Sequence, residues 1–383
     1  MEIYFDNAAT TRLSARAAAV ADQVAQEVYG NPSSLHLAGV RAEAAVREGA
    51  EKIAETLKAE SGELIFTSGG TEADNLAILG TARARKGYGR HLITSAVEHP
   101  AVLEAMRFLS EQDFSVTILP VDAAGHISLE DLRTALRKDT ILVSLMYVNN
   151  EIGAIQPVAE SAALVHAANP DCYFHVDAVQ AYGKFQIYPK RLGIDLLSAS
   201  GHKIGGPKGV GFLYKNRRVS LKPISFGGGQ QGGLRSGTLN APGIAGMGEA
   251  AREAYEDFAG KRERMLTIKN QILSDALRLP GVSANSATGM DSAPQIVSLS
   301  VENVRAEVLL HALEAEGIFV SSGSACASNH PGISATLKGI GLPKKLLDAT
   351  IRVSFSSENT LAEAERFSEV FWRLVPELRK FRR

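Results

Sequence analysis

Cysteine is almost absent: Cys172 and Cys326 are the only two in 383 residues. One bridge is arithmetically possible, but a chain of this size buries enough apolar surface to need no disulfide framework. The wide spacing also excludes a CxxC metal or redox motif, so each thiol is judged alone and no metal site is expected. Charge of one sign is lacking as well. At a formal net charge of −1 there is no overall pull toward nucleic acid or an anionic bilayer. No apolar run is long enough to span a membrane. The start, Met1-Glu-Ile-Tyr-Phe-Asp6, reads as strand and not as a basic leader with an apolar core, which predicts a cytoplasmic location. Internal repeats and low-complexity segments are missing too.

What is present is ordinary for a globular protein, 45% hydrophobic and 22% charged residues. Ser14 is placed to cap a helix ending near Gly30-Asn31-Pro32, and a second helical pattern covers Val40 to Lys58. Strand-like runs then follow at Glu63–Thr67, His91–Ser95, Ser115–Leu119, Ile141–Tyr147 and Tyr173–Asp177. Helical patterns between them start near Thr71, His99, Ser128 and Val158. This alternation predicts an α/β fold whose sheet is mostly parallel and covered on both faces. After Tyr214 the rhythm changes. A glycine-rich loop leads to a long helical pattern, Pro242 to Leu279, with a kink expected near Gly260. Beyond it lies a smaller α+β unit: strand Ile296–Val301, helix Arg305–Glu316, strands Ile318–Val320 and Ile351–Phe355, and a closing helix. Cations in its last turn, Arg379 to Arg383, oppose the helix dipole.

The pivotal stretch is Ser198-Ala-Ser-Gly-His-Lys203-Ile-Gly-Gly-Pro-Lys208-Gly-Val-Gly211. Apolar runs at Ile194–Leu197 and Phe212–Tyr214 flank it, so Lys203 falls on a glycine turn between two strands, where backbone approaches a ligand closely. A lysine there can grip phosphate or act as an amine nucleophile. A P-loop is excluded, because that motif ends Gly-Lys-Ser/Thr and opens a helix. A solvated lysine on a hairpin is the structural alternative.

Two further features end predicted strands, where open α/β sheets place their ligands. Thr67-Ser-Gly-Gly70-Thr71-Glu72 is a glycine turn into a helix start, an anion seat made of backbone N–H groups and the Thr71 hydroxyl. Asp177 ends an apolar strand, either as a helix cap or as the partner of a buried ring nitrogen. Phosphate seat, aspartate and lysine, in that order, are what pyridoxal 5'-phosphate (PLP) needs: anion donors, a carboxylate for its pyridine nitrogen, and an amine for its aldehyde. His99, in Val97-Glu-His-Pro100, is either a flat ring to stack on the cofactor or a helix cap.

These residues carry a resemblance that runs nearly end to end. Tyr4-Phe-Asp-Asn-Ala-Ala-Thr10, Asn31-Pro-Ser-Ser-Leu-His36, Ser68-Gly-Gly-Thr-Glu72, Glu98-His99, Val148-Asn-Asn-Glu-Ile-Gly153, Asp177-Ala-Val-Gln180, Ser200-Gly-His-Lys203, Arg235-Ser-Gly-Thr238 and Ser321-Ser-Gly-Ser-Ala-Cys326 together resemble the cysteine desulfurases of the fold-type I PLP enzymes. The resemblance implies a large PLP-binding domain over residues 12–258. It implies a small α+β domain, made of 1–11 and 259–383, that carries Cys326. Lys203 would be the lysine bonded to the cofactor's aldehyde, Asp177 the partner of the pyridine nitrogen, and Gln180 a contact of the ring hydroxyl. His99 would stack on the ring and help move protons. Gly70, Thr71, Ser200 and His202 would hold the phosphate, and Thr238 would arrive from the neighbouring subunit of a homodimer. Asn150 and Arg352 would bind the substrate, Arg352 through its carboxylate.

Cys326 lies in a polar, small-residue stretch with no apolar periodicity, unlike Cys172 beside Tyr173 and Phe174. That contrast predicts a reactive thiol at Cys326 and an inert buried one at Cys172. The implied reaction takes sulfur from L-cysteine, leaves a persulfide on Cys326 and releases L-alanine. Gly323 and Gly332 offer hinges for delivery to an acceptor such as an iron–sulfur scaffold protein. The chain departs from the family wording after Arg352, which is followed by Val-Ser-Phe-Ser-Ser-Glu-Asn, and at Asn329-His330-Pro331. The length of the cysteine loop resembles the iron–sulfur assembly type. Competing readings on the same scaffold are a selenocysteine lyase and an aminotransferase, for which Cys326 has no use. A non-catalytic protein that kept the fold is a third.

Overall fold

The computed structural model describes residues 2–287, 292–322 and 334–381. Its larger sheet holds seven strands in the order β2-β8-β7-β6-β5-β3-β4. These are β2 (Leu64–Thr67), β3 (His91–Ser95), β4 (Ser115–Leu119), β5 (Thr140–Met146), β6 (Tyr173–Asp177), β7 (Leu196–Ser200) and β8 (Gly211–Lys215), with β1 the short strand Ile3–Tyr4. Pairing from β4 through β3, β5, β6 and β7 is parallel, and β8 alone runs against both of its neighbours. The α/β expectation with a mostly parallel sheet is borne out.

Why the central strands read as unbroken apolar runs is clear from their packing. All seven residues of β5 are buried. Val143, Phe174, Leu197 and Phe212 pack into one core, while their chain neighbours Leu142, Tyr173, Leu196 and Leu213 pack into another. Side chains alternate between the two faces of a strand, and helices cover both faces, so apolar residues dominate, and the buried polar residues Ser144, His175 and Ser198 hydrogen-bond to one another. Each large apolar side chain buried this way contributes about 1.5–3 kcal/mol.

The second sheet has four strands in the order β12-β13-β10-β9, all antiparallel. They are β9 (Val282–Ala284), β10 (Ile296–Val301), β12 (Ser321–Ser322) and β13 (Thr350–Ser354), and β11 is Ile318–Phe319. A separate core of Val297, Leu299, Ile351, Val353, Phe367 and Phe371 lies against this sheet, and Ile3 and Phe5 join it. The reason is that β1 pairs in parallel with β11.

Two expectations on element boundaries are corrected. The run Ile318–Val320 is not one strand: Ile318–Phe319 pairs with β1, and Ser321–Ser322 joins β13 instead. The long helix is two helices, Ala241–Tyr255 and Phe258–Ala276. The break falls at Asp257, whose φ of 45° is left-handed, and not at Gly260. Glu256 is extended there, so the chain turns before Gly260 is reached.

Candidate active site

β7 and β8 form an antiparallel pair, and the turn between them holds Lys203 within a single 3₁₀ turn, Gly201–Lys203. The turn is laced to the N-terminal segment. Thr11 Oγ1 donates to the His202 carbonyl at 2.9 Å and accepts the Gly205 N–H at 2.8 Å. Gly205 has a φ of +79°, a conformation that a side chain would strain. Lys203 Nζ donates to the carbonyls of Ala8 and Ala9 at 2.6 and 2.7 Å. Lys184 Nζ in turn donates to the Lys203 carbonyl at 2.6 Å, and burial together with the Lys203 charge pushes its ammonium down to about 7. Lys184 carries no motif signal and was not anticipated.

A cleft of about 490 Å³ opens beside the turn, lined by Thr10, Ser68, Gly69, Gly70, Thr71, Glu72, Ser200, His202, Lys208 and Gly209. Three distant parts of the chain meet here, and the floor is the N-terminus of helix Gly70–Arg85, which no side chain caps. Its first N–H groups point at an anion site with the field of the helix behind them. The close fit is visible at Gly70, where a Cβ would lie 2.6 Å from Val179 Cγ2. His202 Nδ1 sits 3.1 Å from Thr10 Oγ1, and burial beside Lys203 and Lys208 depresses its imidazole to about 4. It is therefore a neutral hydrogen-bonding group at neutral pH. Thr10 and Lys208 are additions to the expected set; Lys208 was legible only as part of the glycine turn.

Asp177 ends β6 with its carboxylate buried, and Oδ1 accepts the Val179 N–H at 2.9 Å. Desolvation raises its pKa, while His99 and Lys203 pull it back down. Of the two roles weighed for His99, the structure shows the helix cap. Its Nδ1 accepts the Ala101 N–H at 3.1 Å, capping helix Pro100–Ser110, and burial lowers its pKa while the charges of Asp177 and Lys203 act on it in opposite senses. Two more buried carboxyls share this neighbourhood: burial pushes Glu98 up to about 8, and burial together with the Asp177 charge raises Asp74 well above its ordinary value. Glu98 Oε1 accepts the Ser95 hydroxyl and the Met146 N–H, and Oε2 has no partner. Burial raises Asp177 as well, but unlike Glu98 it has His99 and Lys203 acting to lower it again. Gln180 is buried and donates from Nε2 to the Ala8 carbonyl at 2.9 Å, the same oxygen that Lys203 uses.

On the far side, Arg352 in β13 reaches across from the smaller sheet. Its Nη1 donates to the Asn150 carbonyl at 3.0 Å and its Nη2 to Asp6 Oδ1 at 2.8 Å. The two residues expected at the substrate are thus brought together, with Asp6 as an unanticipated third. Thr238 is exposed and does not line this chain's cleft. Its loop is held nearby, because Arg235 Nε donates to Glu72 Oε1 at 2.8 Å and the Gln231 amide pairs with the backbone of Phe66. Cys326, Gly323 and Gly332 lie outside the described residues. Cys172 is fully buried, and burial pushes its thiol up to about 12.

The donor set fits pyridoxal phosphate. An uncapped helix N-terminus with hydroxyls from Thr10, Thr71 and Ser200 suits a phosphate, a buried carboxylate suits a pyridine nitrogen, and the Lys203 amine suits the aldehyde.

Comparison with known proteins agrees. Residues 3–367 match the family model for aminotransferase class-V. The "NifS/IcsS protein homolog" of Lactobacillus delbrueckii subsp. bulgaricus is 44% identical over 96% of this chain and 96% of its own. A "Cysteine desulfurase IscS" of Methanosarcina thermophila is 40% identical over 98% and 93%. Among solved structures, a "NifS-like protein" superposes with a TM-score of 0.93 at 36% identity, covering 99% of this chain and 100% of the other.

Proposed function

The chain belongs to the class-V aminotransferase family, and on that premise we propose the activity its site supports best: it is a pyridoxal phosphate-dependent cysteine desulfurase. L-cysteine is the substrate, L-alanine is released, and Cys326 carries the sulfur away. What supports this reading is that one N-terminal segment ties the groups together: Ala8 and Ala9 receive the Lys203 amine, Thr10 meets His202, and Asp6 receives Arg352.

In this reading Gly70, Thr71, Ser200 and His202 hold the phosphate, joined by Thr10. Asp177 would keep a proton on the pyridine nitrogen, Gln180 would serve the ring hydroxyl, and His99 would help to hold the ring. When bound, the cofactor supplies the electron sink that lets bonds at the amino acid's α-carbon break. Arg352 takes the substrate carboxylate and Asn150 helps to orient it. Lys203 Nζ, released from the Ala8 and Ala9 carbonyls, moves the α-proton. The Cys326 thiolate attacks the substrate sulfur. An S–S bond forms as the C–S bond breaks, and the freed carbon takes a proton to become the methyl of alanine.

Residues 12–258 then form the cofactor-binding domain, with 1–11 and 259–383 the smaller one. The exposed position of Thr238 supports a homodimer in which it completes the partner copy's site. Among the described residues no helix is long and apolar enough to cross a membrane, which agrees with work in the cytoplasm. An iron–sulfur scaffold protein is the acceptor that suits this reading.

A single turnover tests it. Holoenzyme is mixed with L-cysteine in the absence of reductant, then alanine and the mass of the Cys326 peptide are measured. One added sulfur atom on Cys326 per alanine is expected. Alanine-free product with transfer of the amino group would instead make it an aminotransferase. Turnover of selenocysteine alone would make it a selenocysteine lyase.

A further inference from the structure

Arg352 is 3% exposed and lies mid-strand in β13, opposite Ser298 of β10 and Ser321 of β12. Its donors are only partly used. Nη1 serves the Asn150 carbonyl and Nη2 serves Asp6, while the buried Nε has no partner. A guanidinium offers Nε–H and the adjacent Nη2–H as a parallel fork shaped for a carboxylate. Nη2 has a second N–H, so Asp6 can hold that nitrogen without blocking the fork.

Asp6 is itself firmly placed. Its backbone bridges Ser354, two residues beyond Arg352 on the same strand. The Asn7 N–H donates to the Ser354 carbonyl at 3.0 Å, the Ala8 N–H to Ser354 Oγ at 2.9 Å, and the Ala9 N–H to the Asp6 carbonyl at 3.0 Å. A carboxylate fixed to the backbone at this point can set the angle of the guanidinium plane. Small misorientations of a substrate-binding group are costly, because a bidentate contact needs both bonds aligned.

We infer, resting on the reading of Arg352 given above, that Asp6 is a positioning residue for substrate recognition: it holds the Arg352 guanidinium at Nη2 so that the plane is set for the α-carboxylate of L-cysteine. Asp6 acts through Arg352 and touches no reacting atom.

The test compares two probes on holoenzyme, L-alanine and ethylamine, the same amine without the carboxylate. Dissociation constants are read by calorimetry and by the change in cofactor absorption. Asp6→Ala is expected to weaken L-alanine roughly 10- to 100-fold, the worth of one charge-assisted hydrogen bond, and to leave ethylamine unchanged. Asp6→Asn, which keeps an acceptor oxygen, should lose less and also serves if the alanine variant does not fold. Arg352→Gln is the control and should abolish the preference for L-alanine. If Arg352→Gln binds L-alanine normally, the reading of Arg352 fails and the inference falls with it. If only the arginine variant is impaired, or if Asp6→Ala weakens both probes alike, Arg352 stands and the role given to Asp6 is overturned.

Discussion

The two ends of the site are built by different means. At the end on the seven-stranded sheet, recognition is made largely of backbone: glycine turns at strand ends and the uncapped start of helix Gly70–Arg85. At the other end it is a side chain, Arg352, projecting from the middle of a strand in the smaller sheet and held by Asp6 and the Asn150 carbonyl. A backbone seat needs short local patterns, because glycine and a helix start must be adjacent in sequence. A side-chain seat needs only one residue, and its partners come from anywhere. The first kind is preorganised by its own segment; the second depends on how two bodies of the protein meet.

The largest break in this comparison is at Lys203. Lys203→Ala should lower turnover by at least about 10³-fold, since proton transfer at the α-carbon loses its carrier. Turnover near wild type would move the base to another residue.

Next in size is a pH effect beneath the large-sheet end. Burial raises the Glu98 carboxyl from 4.5 to about 8, so the fold keeps a proton that the unfolded chain releases. The stability this group contributes is whole below about pH 4.5 and is lost as pH rises toward 8, at up to about 1.4 kcal/mol per pH unit. Glu98→Gln cannot ionise. Its stability relative to wild type, followed by denaturant unfolding of the apoprotein, should therefore climb across that window. A constant difference between the two proteins would mean that Glu98 is already charged in the fold.

The two ends separate most cleanly by readout. Thr71→Ala should weaken cofactor retention about tenfold, the loss of one hydrogen bond to a phosphate, with KM for L-cysteine little changed on the loaded enzyme. Arg352→Gln should do the reverse, raising KM with the cofactor held normally. Equal effects on both readouts in either variant would erase the distinction drawn here. Cys172→Ala gives the smallest effect: about 1 kcal/mol of stability lost from a buried thiol and turnover unchanged. A lost persulfide in that variant would put the sulfur chemistry on the wrong cysteine.

Much of the backbone-built end was legible residue by residue. Gly70, Thr71, Ser200 and His202 fall in two short motifs, and the structure gathers all four around one cleft. Lys208 and Thr10 were harder, since the first looks like turn composition and the second sits in a segment whose place depends on Thr11 bonding to the 200–205 turn. Asp6 lies in the Tyr4–Thr10 motif, but the motif by itself names no partner for it. Its partner is on β13, at the other end of the chain, and only the bridge to Ser354 brings them together. The helix break was missed for a local reason, because Gly260 drew attention that belonged to the left-handed Asp257.

By itself, then, the sequence determined the layered α/β plan, the strand-end placement of Asp177 and Lys203, and the burial of Cys172. Each of these follows from short-range rules: side-chain alternation, glycine turns and apolar context act over a few residues. The tertiary structure alone decided that Ala8 and Ala9 receive the Lys203 amine, that burial raises the Glu98 and Asp74 carboxyls near Asp177, and that Asp6 grips Arg352. Those facts depend on burial and on contacts between segments far apart in the chain, and neither quantity exists until the chain is packed.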